Sequence, residues 1–286
     1  MLTKGEKYPV LDHGHVIYVD HMGDDMDIVD AARVSYDGKG KSSDRDLLRY
    51  LMRNRHTSPF EMCEIKIIVK CPIFVARQWV RHRTASMNEV SARYTQLPKE
   101  NYLPKHEDIN IQSTDNKQGR GQGKVAAQDE FYFSALDTYD VYERLLDQGV
   151  ARELSRAVLP LSTYTEFVWK INLHNLMHFL NLRLDQHAQY EIRVYAEAIK
   201  ELAMRLWPVT MEAFFDYMRD GVHLSRFEKD LLIYLSHRGG GIDEVLLIDL
   251  KKKYVQGGAM TEREWNEFVT KFRLDAKINA ESENEK

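Results

Sequence analysis

The chain has 286 residues, is 43% hydrophobic and 29% charged, and carries a formal net charge of −4. This is globular composition with a sizeable core, in one large domain or two ordinary ones. A protein that coats a polyanion needs an overall basic surface, so nucleic acid is not an expected partner. No apolar run is long enough to cross a bilayer, and the opening MLTKGEKYPVLDHG has no apolar leader segment; the expected location is cytoplasmic, with no membrane partner.

In chain order, HVIYVD at 15–20 predicts a strand, and DMDIVDAARVSY and SDRDLLRYLMRN predict helices, the second with Leu47, Leu48, Leu51 and Met52 on one stripe. RHTSPFE is turn-like around Pro59. In CEIKIIVKC, 63–71, the odd positions are Cys, Ile, Ile, Val and Cys and the even ones mostly charged. That alternation predicts a half-buried strand with Cys63 and Cys71 facing the core as inert thiols. Two cysteines are too few for a disulfide framework or a four-sulfur metal site. Pro72 then opens a helix, PIFVARQWVRHR, on which Gln78, Arg81 and His82 share a face. A loop and extended chain at SARYTQL follow.

Residues 107–124, EDINIQSTDNKQGRGQGK, are polar and glycine-rich and read as a mobile surface loop, either a solvated connector or a lid. Beyond 125 the pattern is helical. Phe131, Ala135, Tyr139, Tyr142 and Leu146 repeat at helical spacing before Gly149, and ARELSRAVL is a short helix ending at Pro160. TYTEFVWKINLHNLMHFLNLRL reads as one long apolar helix, and HAQYEIRVYAEAIKELAMRL as another, with a stripe of Ala188, Ile192, Tyr195, Ile199, Leu202 and Leu206. Pro208 breaks it, and a short helix runs to about Arg219. After Gly221 the texture changes: two helices, SRFEKDLLIYLSHR and TEREWNEFVTKF, flank GGG, Thr261 and Glu264 form a capping box, and NAESENEK reads as disordered. There are no internal repeats.

The chemistry concentrates at RHRTASMNEVSARY, 81–94, where Arg81, His82, Arg83 and Arg93 crowd with hydroxyls, Asn88 and Glu89. Arg81, Arg83, Arg93, Arg156 and Arg183 all lie in or beside core-like segments, and a buried guanidinium needs an anionic partner. Planar bidentate donors suit a phosphate and the edge of a pyrimidine, so a phosphate-bearing ligand is the favoured reading over surface salt bridges. No phosphate loop, dinucleotide-binding glycine motif or nucleophile elbow is present, which argues against the usual dehydrogenase fold. His174 and His178 have zinc-compatible i, i+4 spacing, but Asn175 stands where a zinc protease has its glutamate. Hydrogen-bonded histidines are the preferred reading there, with no metal. A zinc hydrolase and a nucleotide- or RNA-binding protein without chemistry are the competing functions.

The stretch 81–94 resembles, at every fixed position, the R-H-R-x-x-S-x-N-x-x-S-x-R-Y signature of the flavin-dependent thymidylate synthases. AARVSYD, HTSPFE, PIFVARQWVRHR, ARELSRAVLPLSTYTEFVWKINLHNLMHFL and LRLDQHAQYEI are similar to family segments in the family order, over roughly residues 10 to 220. The resemblance implies an α/β fold, an antiparallel-rich sheet with a helical layer. It divides the chain into a catalytic domain at 1–221 and a helical C-terminal extension at 222–286. It implies conversion of dUMP to dTMP with FAD as cofactor, 5,10-methylenetetrahydrofolate as carbon donor and NADPH as reductant, in a homotetramer whose active sites are shared between subunits. Carried over residue by residue, Gln78, Arg81, Glu89, Val90, Ser91, Ala92, Arg93, Arg156 and Arg183 contact dUMP. Ser35, His56, Ser58, Arg81, His82, Arg83, Glu89, Asn172, His174 and His178 hold or adjoin FAD. Arg183 matches the arginine that activates the uracil, a role a permanently charged guanidinium suits. Ser58 stands where many members have Thr, and His174 where some have Arg. Ser91 is assigned to binding, and no enzyme cysteine nucleophile is expected.

Overall fold

A computed structural model describes residues 2–34, 43–114, 118–237 and 244–274. Ser35, the GGG run and NAESENEK lie outside them. The chain divides into two compact units, Met1–Gly221 and Val222–Lys286.

The first unit is built on a five-stranded sheet of order β1-β2-β3-β7-β4, antiparallel at every pairing. Its strands are β1 (Lys7–Val10), β2 (Gly14–Met22), β3 (Glu64–Pro72), β4 (Ser86–Glu89) and β7 (Tyr164–Asn172). The alternation in β3 buries Ile65, Ile67, Val69, Cys71 and the preceding Cys63 on the core face. Glu64, Lys66 and Lys70 stand on the other. The unit's helices are α1 (Asp25–Arg33), α2 (Asp44–Arg53), α3 (Ile73–Trp79), α4 (Gln128–Asp147), α5 (Arg152–Ser155), α6 (Leu173–Arg183), α7 (Tyr190–Leu206) and α8 (Pro208–Phe214). The stripes of α2 and α7 supply Leu48, Leu51, Met52, Ile192, Tyr195, Ile199 and Leu202 to the core that covers the sheet.

Four expectations are corrected. TYTEFVWKINLHNLMHFLNLRL is not one helix: Tyr164–Asn172 is β7, paired along its full length with β3, and the helix begins only at Leu173. Phe167, Trp169 and Ile171 point into the core while Glu166 and Lys170 face out, a period of two that the surrounding apolar density masks. The helix after Pro72 runs only from Ile73 to Trp79, so Arg81 and His82 lie past its end and do not share its face with Gln78. Extended chain falls at Ser86–Glu89, held by β7, and SARYTQL begins as a turn with Tyr94 N and Thr95 N both bonded to Ser91 O at 3.1 Å. Residues 107–124 are not a loop throughout: β5 (Asn110–Gln112) and β6 (Arg120–Lys124) form a two-stranded hairpin. A Cβ at Gly123 would stand 2.8 Å from the Ile111 side chain, so the glycine there serves close packing rather than mobility.

The second unit contains α9 (Arg226–His237), α10 (Glu244–Lys251) and α11 (Glu262–Lys271) around Leu231, Leu246, Leu250, Trp265 and Phe268. Thr261 and Glu264 form a reciprocal capping box at α11.

Candidate active site

Two strand-to-helix switches set the site. β3 passes into α3 and β7 into α6 with no intervening loop. At the second switch Asn172 is still extended, and its Oδ1 accepts from the backbone N and side-chain Nδ2 of Asn175, each at 2.9 Å. This side chain caps an otherwise unsatisfied helix start. At the end of α3, fully buried Trp79 packs on Phe167 at 5.4 Å, Trp169 at 5.3 Å, Phe179 at 4.8 Å and Tyr195 at 5.9 Å. That aromatic block clamps α3 to β7, α6 and α7 and fixes where the chain leaves toward His82.

His82 lies edge-on against Phe179, 4.9 Å between ring centres. Its Nε2 accepts from Arg183 Nε at 3.0 Å, and Arg183 Nη2 donates to Gln78 O at 3.2 Å. Gln78, His82 and Arg183 therefore form one cluster. Burial, then the Arg183 and His178 charges, push the His82 imidazole down to about 4, so it is the neutral acceptor that Arg183 requires. Burial lowers the Arg183 pKa from its ordinary value. Among the described residues no carboxylate pairs with this half-buried cation.

His174 and His178 share one side of α6, with ring centres 4.7 Å apart and perpendicular. Burial, then His178, lowers the His174 pKa, while Glu61 opposes the shift. No three His, Cys, Asp or Glu side chains converge to hold a metal ion among the described residues. Ser58 is exposed at the start of a tight turn, Ser58–Met62. His56 is exposed and edge-on to Tyr50 at 5.7 Å. Arg81 and Arg83 project outward, and neither forms an ion pair among the described residues.

A second cluster lies around α5. Arg93 Nε donates to Glu153 Oε2 at 3.1 Å, Arg156 Nε donates to Glu153 O at 3.3 Å, and Ser91 Oγ accepts from Arg93 N at 3.3 Å. Glu89, on the β4 edge, accepts from Thr165 Oγ1 at 2.5 Å. Val90 N donates to Glu166 O at 2.9 Å, while Ala92 is buried and has only its backbone to offer. No hydrogen bond or ion pair joins this cluster to the Arg183 cluster among the described residues.

Sequence reasoning missed Glu153, Gln189, Glu191 and Arg120. Gln78 Nε2 donates to Gln189 Oε1, Gln189 Nε2 to Glu191 Oε2 at 2.8 Å, and Arg120 pairs with Glu191. One signal was available: position 191 falls on the apolar stripe between 188 and 195, and an acid on a buried face needs partners. Both cysteines are buried and free; burial first, and nearby carboxylates next, push the Cys63 thiol up to about 12, and burial raises Cys71 as well.

Comparison with known proteins bears on this geometry. Residues 18–209 match the family described as thymidylate synthase complementing protein. The flavin-dependent thymidylate synthase of Wolbachia pipientis is 52% identical over 229 residues, covering 77% of this chain and 80% of that protein. That of Ruegeria pomeroyi is 46% identical over 279 residues, covering 91% and 86%. The crystal structure of a UMP/dUMP methylase, PolB from Streptomyces cacaoi, bound with 5-Br dUMP, is similar with a TM-score of 0.66 at 37% identity, covering 74% of this chain and 99% of that one.

Proposed function

The chain belongs to the flavin-dependent thymidylate synthase family, and from that premise we propose that it methylates dUMP to dTMP, with FAD as cofactor, 5,10-methylenetetrahydrofolate as carbon donor and NADPH as reductant. The observation that carries the reading is Arg183: a half-buried guanidinium held, among the described residues, by neutral acceptors alone, His82 Nε2 and Gln78 O. A cation so placed retains its charge for an anionic or anion-forming ligand.

The residues present fit a flavin dinucleotide. Exposed Arg81 and Arg83 offer charge to a diphosphate, while Asn172, His174, His178 and neutral His82 offer hydrogen-bonding edges. His56 and Ser58 complete that set. A bound flavin would supply hydride chemistry for the reductive step, with NADPH as the reductant. Arg183 stabilises negative charge developing on the uracil ring, which makes the ring a better carbon nucleophile. His82 holds the guanidinium by its Nε2 and, being neutral, takes no share of that charge. Gln78 and Arg81 bind dUMP as well. Ser91, Arg93 and Arg156, with Glu89 and the backbone of Val90 and Ala92, take the phosphate end. Neither cysteine acts as nucleophile, since each thiol is buried and its thiolate disfavoured.

No hydrogen bond or ion pair joins the two clusters among the described residues, which fits a homotetramer in which one subunit supplies Arg183 and another Arg93. Mixing inactive Arg183→Ala and Arg93→Ala subunits then restores about a quarter of the sites on random reassembly; no recovery in mixed oligomers would place both arginines in one subunit's site. The reading as a whole is tested by the visible spectrum of the purified protein, with anaerobic NADPH and then dUMP and the folate. A flavin spectrum that bleaches and a dTMP product are expected. A protein that neither binds FAD nor bleaches would refute the redox half.

A further inference from the structure

Glu191, in the first turn of α7, is 1% exposed. It accepts from the Tyr102 hydroxyl at 3.0 Å and from Gln189 Nε2 at 2.8 Å, and the Arg120 guanidinium from β6 supplies its counter-charge. Burial, then Glu191 itself, raises the Tyr102 phenol, which remains a donor. Every partner of this carboxylate is thus an N–H or O–H group.

That arrangement has a directional consequence. A carboxylate only accepts, whereas an amide both donates and accepts. Gln189 must therefore turn its NH2 toward Glu191, leaving its carbonyl oxygen toward Gln78. Gln78 in turn commits its NH2 to Gln189. Its own Oε1 is the end left over. Gln78 is also the residue whose backbone carbonyl receives Arg183 at 3.2 Å, so the residue whose amide is so oriented adjoins the arginine placed at the uracil.

We infer that Glu191 is a positioning residue for the nucleotide site: through Gln189 it fixes the polarity of the Gln78 amide, so that the site presents a carbonyl acceptor to the nucleotide. The inference rests on the reading of Gln78 as a dUMP contact. An acceptor recognises a donor, and the neutral-pH donors of dUMP are its 3′ hydroxyl and its ring N3–H; the phosphate and ring carbonyls only accept. The relay therefore favours a ribose hydroxyl or imide edge at Gln78 and disfavours a phosphate there. The hairpin contributes Arg120 to this device, because an unpaired buried carboxylate would seek a proton and lose its accept-only character. Beside the relay lies a cavity of about 660 Å³ lined by Phe74, Tyr102, Arg120, Phe131, Gln189 and Glu191 among others.

The test is a double-mutant cycle on the flavin-loaded enzyme, read by dUMP titration calorimetry and steady-state kinetics. Glu191→Gln lets either end of the amide face Gln189 and scrambles the relay. The expected result is dUMP affinity weakened about tenfold, an unchanged flavin spectrum, and turnover recovered at saturating dUMP, so that KM moves and kcat does not. In a Gln78→Ala background the same substitution has no further effect on dUMP affinity. Additive losses would overturn the inference and leave the placement of Gln78 standing. Gln78→Ala with unchanged dUMP affinity would remove that placement and the inference with it. If Glu191→Gln does not fold, Arg120→Ala on the hairpin replaces it in the cycle, with a smaller loss and the same non-additivity expected.

Discussion

Replacing Arg183 with alanine separates the fold from the chemistry. In the structure the guanidinium donates to His82 Nε2 at 3.0 Å and to Gln78 O at 3.2 Å. Each bond has a charged donor and contributes about 1.5–3 kcal/mol, and the desolvation cost of the half-buried cation, of similar size, offsets most of it. Arg183→Ala should therefore change stability by no more than about 1–2 kcal/mol, a shift of a few degrees in Tm for a chain of this size. Its functional cost is different in scale. Removing one charge-stabilising donor aimed at a transition state lowers kcat on the order of 10²–10³-fold. Flavin should stay bound, since the proposed partner of Arg183 is the uracil. An internal control exists. Arg183 is among the causes that hold His82 down at about 4, so its loss should let the imidazole pKa rise toward the ordinary histidine value, visible by NMR titration. The assay is dTMP formation by the flavin-loaded variant at saturating substrates. Undiminished turnover with the histidine shift present would take Arg183 out of the mechanism.

Cys63→Ala and Cys71→Ala, singly or together, should retain substantial turnover at a stability cost of about 1 kcal/mol each; complete loss of dTMP formation in a folded double variant would show that a thiol takes part. Gly14→Ala should destabilise by about 3 kcal/mol, because its Cβ would fall 2.0 Å from the Tyr195 hydroxyl and 2.6 Å from Val10 O. Thermal unfolding measures that, and a Tm within a degree of the parent's would mean the β1–β2 turn relaxes freely. Acid lowers stability through His82. Its folded pKa, about 4, lies below the unfolded value near 6.5, so the unfolded state binds more protons between the two and stability falls as pH drops from 6.5 toward 4. His15 and His174, also lowered, act in the same direction. Urea titrations across that range should show the fall, and a shallower one in His82→Gln; identical slopes would assign it to other groups.

How far the sequence reveals this protein depends on how local each determinant is. The alternation in 63–71 reports β3 faithfully because one face is buried and the other charged. The spacing of Leu48, Leu51 and Met52 does the same for α2. β7 misleads because its partners, β3 and β4, are remote in sequence and its period of two runs straight into the apolar face of α6. A pattern confined to one segment cannot register a pairing that lies outside it. The hairpin at 110–124 is hidden for the same reason, its glycines resembling linker while they admit close packing. At the site, the residue types of 81–94 are plain in the sequence, but their grouping is not. His82 leaves α3 early because the helix stops at Trp79, and it meets Arg183 only through the fold. Glu191 and Arg120 come together across a long stretch of chain, so composition and spacing were silent about their contact.

The electrostatics of Arg183 follow from that arrangement. The residue closes α6, and its main-chain acceptor, Gln78 O, belongs to the last turn of α3. Two helix C-termini, each with partial negative charge, therefore meet at one cation. Such dipoles stabilise a guanidinium without neutralising it. A carboxylate in their place would form a closed ion pair with little attraction left for a ligand. The imidazole at the other contact could have spoiled the arrangement by protonating, but burial against Phe179 keeps it neutral. The sequence obtains this by ending two strands directly in helices and by pinning one helix with Trp79. The result is a charge held in place by groups that cannot cancel it, which is the condition for stabilising negative charge that appears only during a reaction.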